Sequence, residues 1–215
     1  MKLSDLLTQE PTSGSPAVLS DELRLDGVSH LLEILCDAYG DLYNSGIVTS
    51  IMIESEITEE FYRCVQMVWF DRGPKTLTPH HEKSHGRRIE GRRKTPTIDV
   101  CFRDWDPNHY FGIECKILED KKSRYDYYVD GGVCRYIRGD YGKKFPTGAM
   151  IGYVLTGDSS KIINEVVNKV NKVPHCSNMN ISSPVNGFTK HYESIHKRKI
   201  GVSPFNIHHL FFNFT

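Results

Sequence analysis

This 215-residue chain lacks any charge excess: Lys and Arg number 27, and so do Asp and Glu. Bulk charge therefore does not mark a nucleic-acid binder, and only local clusters can do so. No apolar run approaches the roughly 20 residues needed to cross a bilayer, so no helical membrane span is expected. The N-terminus, Met1-Lys2-Leu3-Ser4-Asp5, lacks the apolar stretch of a secretory signal. Six cysteines (Cys36, Cys64, Cys101, Cys115, Cys134, Cys176) form no C-x-x-C pair and no regular spacing. That argues against a disulfide framework and for reduced core thiols in a cytosolic protein. Around Asp130-Gly131-Gly132 there is no G-x-x-x-x-G-K-[ST], so no P-loop is present. Internal repeats are absent as well.

The chain does have the apolar content to fold. Hydrophobic residues make up 39% and aromatics 11%, enough for one core of ordinary size. Residues 1–20, with Pro11, Gly14 and Pro16, read as a flexible arm, and residues 21–215 as a single domain. Leu23, Val28, Leu31, Leu32, Leu35 and Tyr39 recur at helical spacing. A second helix is expected over 54–70, on a stripe of Phe61, Val65, Val68 and Trp69. Ile98 to Phe102 and Tyr110 to Leu118 read as strands joined by the turn residues Asp104 to Asn108. A helix over 124–138, a buried strand from Ala149 to Leu155, a helix from Ser159 to Val173 capped by Ser159 or Ser160, a polar loop over 174–187 and a last strand from Ile207 to Phe214 follow. The sum is an α/β fold.

The two central strands carry the chemistry. Side chains alternate along a strand, so Glu114 and Lys116 share one face while Ile113, Cys115 and Ile117 take the other. A hairpin can bring Asp99 beside Glu114 and Lys116. Such a set is costly among apolar strands unless it is paired or binds a metal. Phosphodiester hydrolysis uses these groups: two carboxylates hold Mg²⁺ (or Mn²⁺), and a lysine orients the attacking water or stabilises growing phosphate charge.

Pro96-Thr97-Ile98-Asp99 followed by Ile113-Glu114-Cys115-Lys116 resembles the PD-(D/E)xK phosphodiesterase superfamily, home of restriction endonucleases. The Pro stands three residues before the Asp, not next to it. The resemblance covers about half the chain, residues 54–156. It implies a restriction endonuclease-like central mixed β-sheet flanked by helices, in the order α-β-β-β-α-β. It further implies a metal-dependent nuclease with DNA as substrate, in a bacterial restriction or phage-defence setting. Asp99, Glu114 and Lys116 would then be catalytic. A Glu on the preceding helix is implied as a further metal ligand, with Glu56 first choice and Glu54 second. Arg135, on the helix after the E-x-K strand, is implied as a phosphate contact.

DNA binding would fall to the basic stretch 72–94, with Arg87, Arg88, Arg92, Arg93 and Lys94, and to Lys121 and Lys122 beyond the active strand. Sequence specificity would come from loops, from a homodimer or from a partner protein. Other readings stand beside these. The acids and lysine can be a cross-hairpin ion pair, and the domain a catalytically silent subunit that binds nucleic acid or protein. RNA can replace DNA as substrate. His80, His81 and His85 invite a zinc site but lack a completing ligand. Ser194, His196 and Arg198 read as a solvated strand end, with phosphate contact or proton transfer as the functional alternative.

Overall fold

Val28, Leu31, Leu32, Leu35, Ala38 and Leu42 recur every three or four residues, and all six are buried on one side of helix α1 (Leu25–Ser45). Ile57, Phe61 and Val65 do the same for α2 (Glu54–Arg72). Full burial of such a side chain contributes about 1.5–3 kcal/mol. The computed structural model describes residues 25–73, 77–84, 97–104 and 109–215. The expected arm over 1–20, the turn from Trp105 to Asn108, His85 and the cluster Arg87, Arg88, Arg92, Arg93 and Lys94 lie outside the described residues.

Strands β1 (Thr78–Ser84), β2 (Thr97–Arg103) and β3 (Tyr110–Leu118) pair antiparallel in sequence order. After β3 come helix α3 (Lys122–Tyr128), a π-helical turn (Val129–Val133) and the short helix α4 (Cys134–Arg138). This segment crosses over to β4 (Thr147–Val154), which lies parallel to β3. Helix α5 (Ser159–Val170), β5 (Asn180–Ile181), β6 (His191–His196) and β7 (Phe205–Asn213) complete the chain. The result is a seven-stranded mixed sheet in the order β1-β2-β3-β4-β7-β6-β5, flanked by helices: an α/β fold. No helix among the described residues is long and apolar enough to cross a membrane.

Helices cover both faces of the sheet. Val100, Ile113, Cys115, Ile151, Tyr153, Leu210 and Phe212 pack with α1 and α2 on one face. Leu118, Met150, Val154, Ile207 and Phe211 pack with Tyr128, Tyr136, Ile162 and Val166 on the other. Strands β3 and β4 are buried along their whole length, which explains why their sequences read as near-continuous apolar runs.

Two expectations fail here. The cap of α5 is Asp158, not Ser159 or Ser160: its Oδ1 accepts from the Ser160 and Lys161 amides at 2.8 and 3.2 Å. Asp158→Ala is expected to lower stability by about 1 kcal/mol, read as the urea midpoint. An unchanged midpoint would return the cap to the serines. Nor is the Ser194–Arg198 segment a solvated strand end. Ser194, His196 and Arg198 are all buried, because β6 pairs with β7 beneath the 136–145 segment. The Arg198 guanidinium donates to the carbonyls of Gly142 and Phe145 at 2.7 and 2.9 Å and stacks 4.0 Å over Phe205. Burial pulls its pKa down to about 10. These carbonyl partners give Arg198 a structural role in tying down the loop that precedes β4.

Candidate functional site

β2 and β3 pair from Arg103–Tyr110 as far as Val100–Ile113, where the ladder ends. Beyond that rung the amides of Cys115 and Ile117 on β3 need other acceptors, because a buried orphan N–H is costly. Two carboxylates supply them. Asp99 Oδ2 accepts from Cys115 N at 2.7 Å, and Glu54 Oε2 accepts from Ile117 N at 3.1 Å. Glu54 opens α2, where the helix dipole favours a negative charge. The opened hairpin thus draws an acid from β2 and an acid from α2 onto one edge of β3.

Lys116 lies at the centre of these acids. Its Nζ is 2.9 Å from Glu114 Oε1, 2.9 Å from Glu54 Oε1 and 3.8 Å from Asp99 Oδ2. It also donates to the Cys115 carbonyl and lies 5.3 Å from the centre of the Tyr127 ring. The side chains of Lys116 and Glu114 are 3% and 2% exposed, while Asp99 and Glu54 are 26% and 28% exposed. The site therefore has a buried floor and an open rim. Burial raises the Glu114 carboxyl to about 7, with the Asp99 charge adding to the rise and Lys116 opposing it. Burial also raises Asp99, against the pull of Lys116 and the Cys115 amide. For Lys116, burial works against the charge, but the three carboxylates outweigh it and hold the ammonium above its usual range.

Arg135 completes the rim. Its Nη1 donates to Tyr141 Oη at 2.6 Å and stands 3.6 Å from Glu114 Oε1. The π-helical turn brings this segment down onto the sheet. A Cβ at Gly132 would lie 2.2 Å from Met150 Cε and 3.8 Å from Glu114 Cγ, so the glycine permits the close approach beside the acid. π-Helical turns inside α-helices recur at functional sites.

Three carboxylates against two cations leave one negative charge over. Glu114 Oε2, buried, has no hydrogen-bond partner. Three hard-oxygen carboxylates and an unmatched negative charge fit a divalent cation such as Mg²⁺ or Mn²⁺, held by Asp99, Glu114 and Glu54. One observation weighs the other way. Among the described residues, the group whose ligand atoms all lie within 4.8 Å of one another is His191, Glu193 and His208, not these acids. Lys116 stands between the acids and keeps them apart.

The structure brings Asp99, Glu114 and Lys116 together, with Arg135 beside them. It does not bring Glu56. The Glu56 carboxylate folds back to accept from the Ile53 amide at 3.0 Å, capping α2, and the residue is exposed. The helix carboxylate that touches the set is Glu54. Lys121 and Lys122 are exposed just past the end of β3, with Lys121 paired to Glu119 at 3.0 Å. The zinc reading of His80 and His81 loses its geometry, because adjacent residues of β1 point to opposite faces. His81 stacks on Tyr62, with ring centres 5.2 Å apart.

Sequence reasoning singled out Ser194 and His196 but missed the histidines that β6 and β7 gather around them, His191, His208 and His209. Tyr128 Oη meets His209 Nδ1 at 3.0 Å, and His209 Nε2 meets Ser194 Oγ at 2.7 Å, which meets His196 Nε2 at 2.8 Å. Burial pushes His209 well down and His196 to about 4, so both rings are neutral. On the opposite face of the same strands stand His191, Glu193 and His208. The available signal was the H-x-E spacing of His191 and Glu193, which puts both on one strand face. No protein-family model, curated protein or solved structure matches this chain.

Proposed function

We propose that this protein is a metal-dependent phosphodiesterase of the restriction endonuclease-like kind, acting on DNA. The observation that carries this reading is the opened hairpin: one lysine among three carboxylates, with one carboxylate oxygen buried and unpartnered. The element order supports it. α2, then antiparallel β1, β2 and β3, then the α3–α4 segment, then parallel β4 follows the α-β-β-β-α-β order that the sequence resemblance implies.

Asp99, Glu114 and Glu54 would hold the cation from the floor and rim. Bound there, it would polarise the scissile phosphate and lower the pKa of a water. Lys116 positions that water and meets charge on the phosphate as it grows, as a buried ammonium fixed by its acids. Arg135, 34% exposed at the rim, is placed to receive a phosphate oxygen once it releases Glu114. Lys121 and Lys122 extend the positive track for the strand backbone. A restriction or phage-defence setting and a homodimer or partner protein belong to the same reading.

A second reading has its own support. Lys116 and two backbone amides already engage the acids, as expected of a catalytically silent subunit that binds nucleic acid or a protein partner. Incubation with DNA and with RNA in Mg²⁺, Mn²⁺ or EDTA separates the two. The proposal expects metal-dependent cleavage of DNA. Cleavage of RNA alone would change the substrate, and inert protein under every condition favours the silent subunit.

A further inference from the structure

The cluster on β6 and β7 has the geometry of a second, different metal centre. Glu193 lies directly across the ladder from His208, and His191 is two residues from Glu193 on the same face. Period-two alternation on one strand and a cross-strand rung on the next therefore bring three side chains to one point. His191 Nε2 is 3.1 Å from His208 Nδ1. Glu193 Oε1 is 3.5 Å from His208 Nδ1 and 3.7 Å from His191 Nε2. Ligands about 2.0–2.1 Å from a tetrahedral ion stand about 3.3 Å from one another, which is the size of this triangle.

The surroundings orient His191 and Glu193 as ligands. His191 Nδ1 faces the Ser183 carbonyl at 2.9 Å. That carbonyl can only accept, so Nδ1 carries the proton and Nε2 presents its lone pair to the centre of the triangle. Ser182 Oγ donates to Glu193 Oε1, and Asn206 Nδ2 donates to Glu193 Oε2 at 3.2 Å. Carbonyl and hydroxyl partners behind histidine and carboxylate ligands are the usual support of a metal site. His191 and His208 are buried, while Glu193 is half-exposed and leaves an entry path. Two imidazoles and one carboxylate are a borderline-soft set that suits zinc better than Mg²⁺.

We propose that His191, Glu193 and His208 bind one Zn²⁺, with the fourth position open to water or an added ligand. The ion joins β6 to β7 across their rung. This site is separate from the acids around Lys116, and its fate does not depend on theirs.

The full-length protein, stripped with EDTA and dialysed against Zn²⁺, is analysed for metal content and titrated with Zn²⁺ by calorimetry. One zinc per chain is expected, with a thermal midpoint that rises as Zn²⁺ is added. Glu193→Gln, isosteric and at a half-exposed position, is expected to weaken binding by about 10-fold or more, and His208→Ala to remove it. Glu114→Gln is expected to bind zinc as wild type does. If His208→Ala fails to fold by circular dichroism, Glu193→Gln alone decides. No retained zinc, or equal zinc in wild type and Glu193→Gln, would overturn the proposal and leave a hydrogen-bonded His–His–Glu group.

Discussion

Lys116→Met is expected to destabilise the metal-free protein by about 3–5 kcal/mol at pH 8. Met fills most of the volume that the lysine stem occupies, so packing changes little. The charge balance changes a great deal. Glu114, Glu54 and Asp99 would face one another with Arg135 as the only nearby cation among the described residues, and Glu114 is buried. Removing one partner of a buried ion pair leaves the other's desolvation uncompensated. The loss should shrink toward pH 5. Glu114 already titrates near 7 and Asp99 above its ordinary value, both chiefly through burial, so protons can replace the missing cation. Urea unfolding at both pH values reads the effect. An equal loss at pH 5 and pH 8 would mean that packing, not charge, is what Lys116 supplies.

Glu114→Gln separates catalysis from stability. Loss of one oxygen ligand and its charge is expected to lower metal-dependent cleavage by about a thousandfold or more, since several kcal/mol of charge stabilisation are at stake and each 1.36 kcal/mol is tenfold. The metal-free fold should not suffer at pH 8. The folded-state carboxyl titrates at about 7, above the ordinary 4.5 of a glutamate, chiefly through burial. A raised carboxyl contributes its stability below the unfolded pKa and loses it as pH rises through the folded one. Wild type should therefore lose stability from this group between about pH 4.5 and 7, and the glutamine variant should show a flatter profile across that window. Parallel urea midpoints for the two proteins from pH 4.5 to 8 would refute the buried-charge account of Glu114.

Much of this site was legible from the strands alone. Glu114 and Lys116 interrupt an apolar run at a spacing of two, and Asp99 sits in the strand that precedes it and pairs with it. Alternation and a hairpin suffice to bring them together. The choice between Glu54 and Glu56 was not legible. Both stand in the first turn of α2, and the fold decides by using the third helical residue, Glu56, to cap the Ile53 amide. A capping box begins with Ser or Thr, and Ile53 gives no such signal. The opening of the hairpin was also invisible, because it shows only in which amides reach for Asp99 and Glu54.

The C-terminal strands show a different limit. His191, Glu193, His208 and His209 owe their meaning to the β6–β7 register, which joins segments separated by a loop. Arg198 owes its burial to backbone carbonyls of the 136–145 segment, and no residue type in that segment announces them. Local pattern cannot find partners that only the sheet order creates.

The central claim is that Asp99, Glu114 and Glu54 hold a cation with which Lys116 cuts a phosphodiester. The most direct test is cleavage of supercoiled plasmid and linear DNA by wild type and Lys116→Ala in Mg²⁺, Mn²⁺ and EDTA, with both proteins shown folded. The account predicts cutting by wild type that requires metal and disappears in EDTA and in the variant. Cutting that survives either EDTA or the loss of Lys116 would contradict it, as would a folded wild type that cuts nothing.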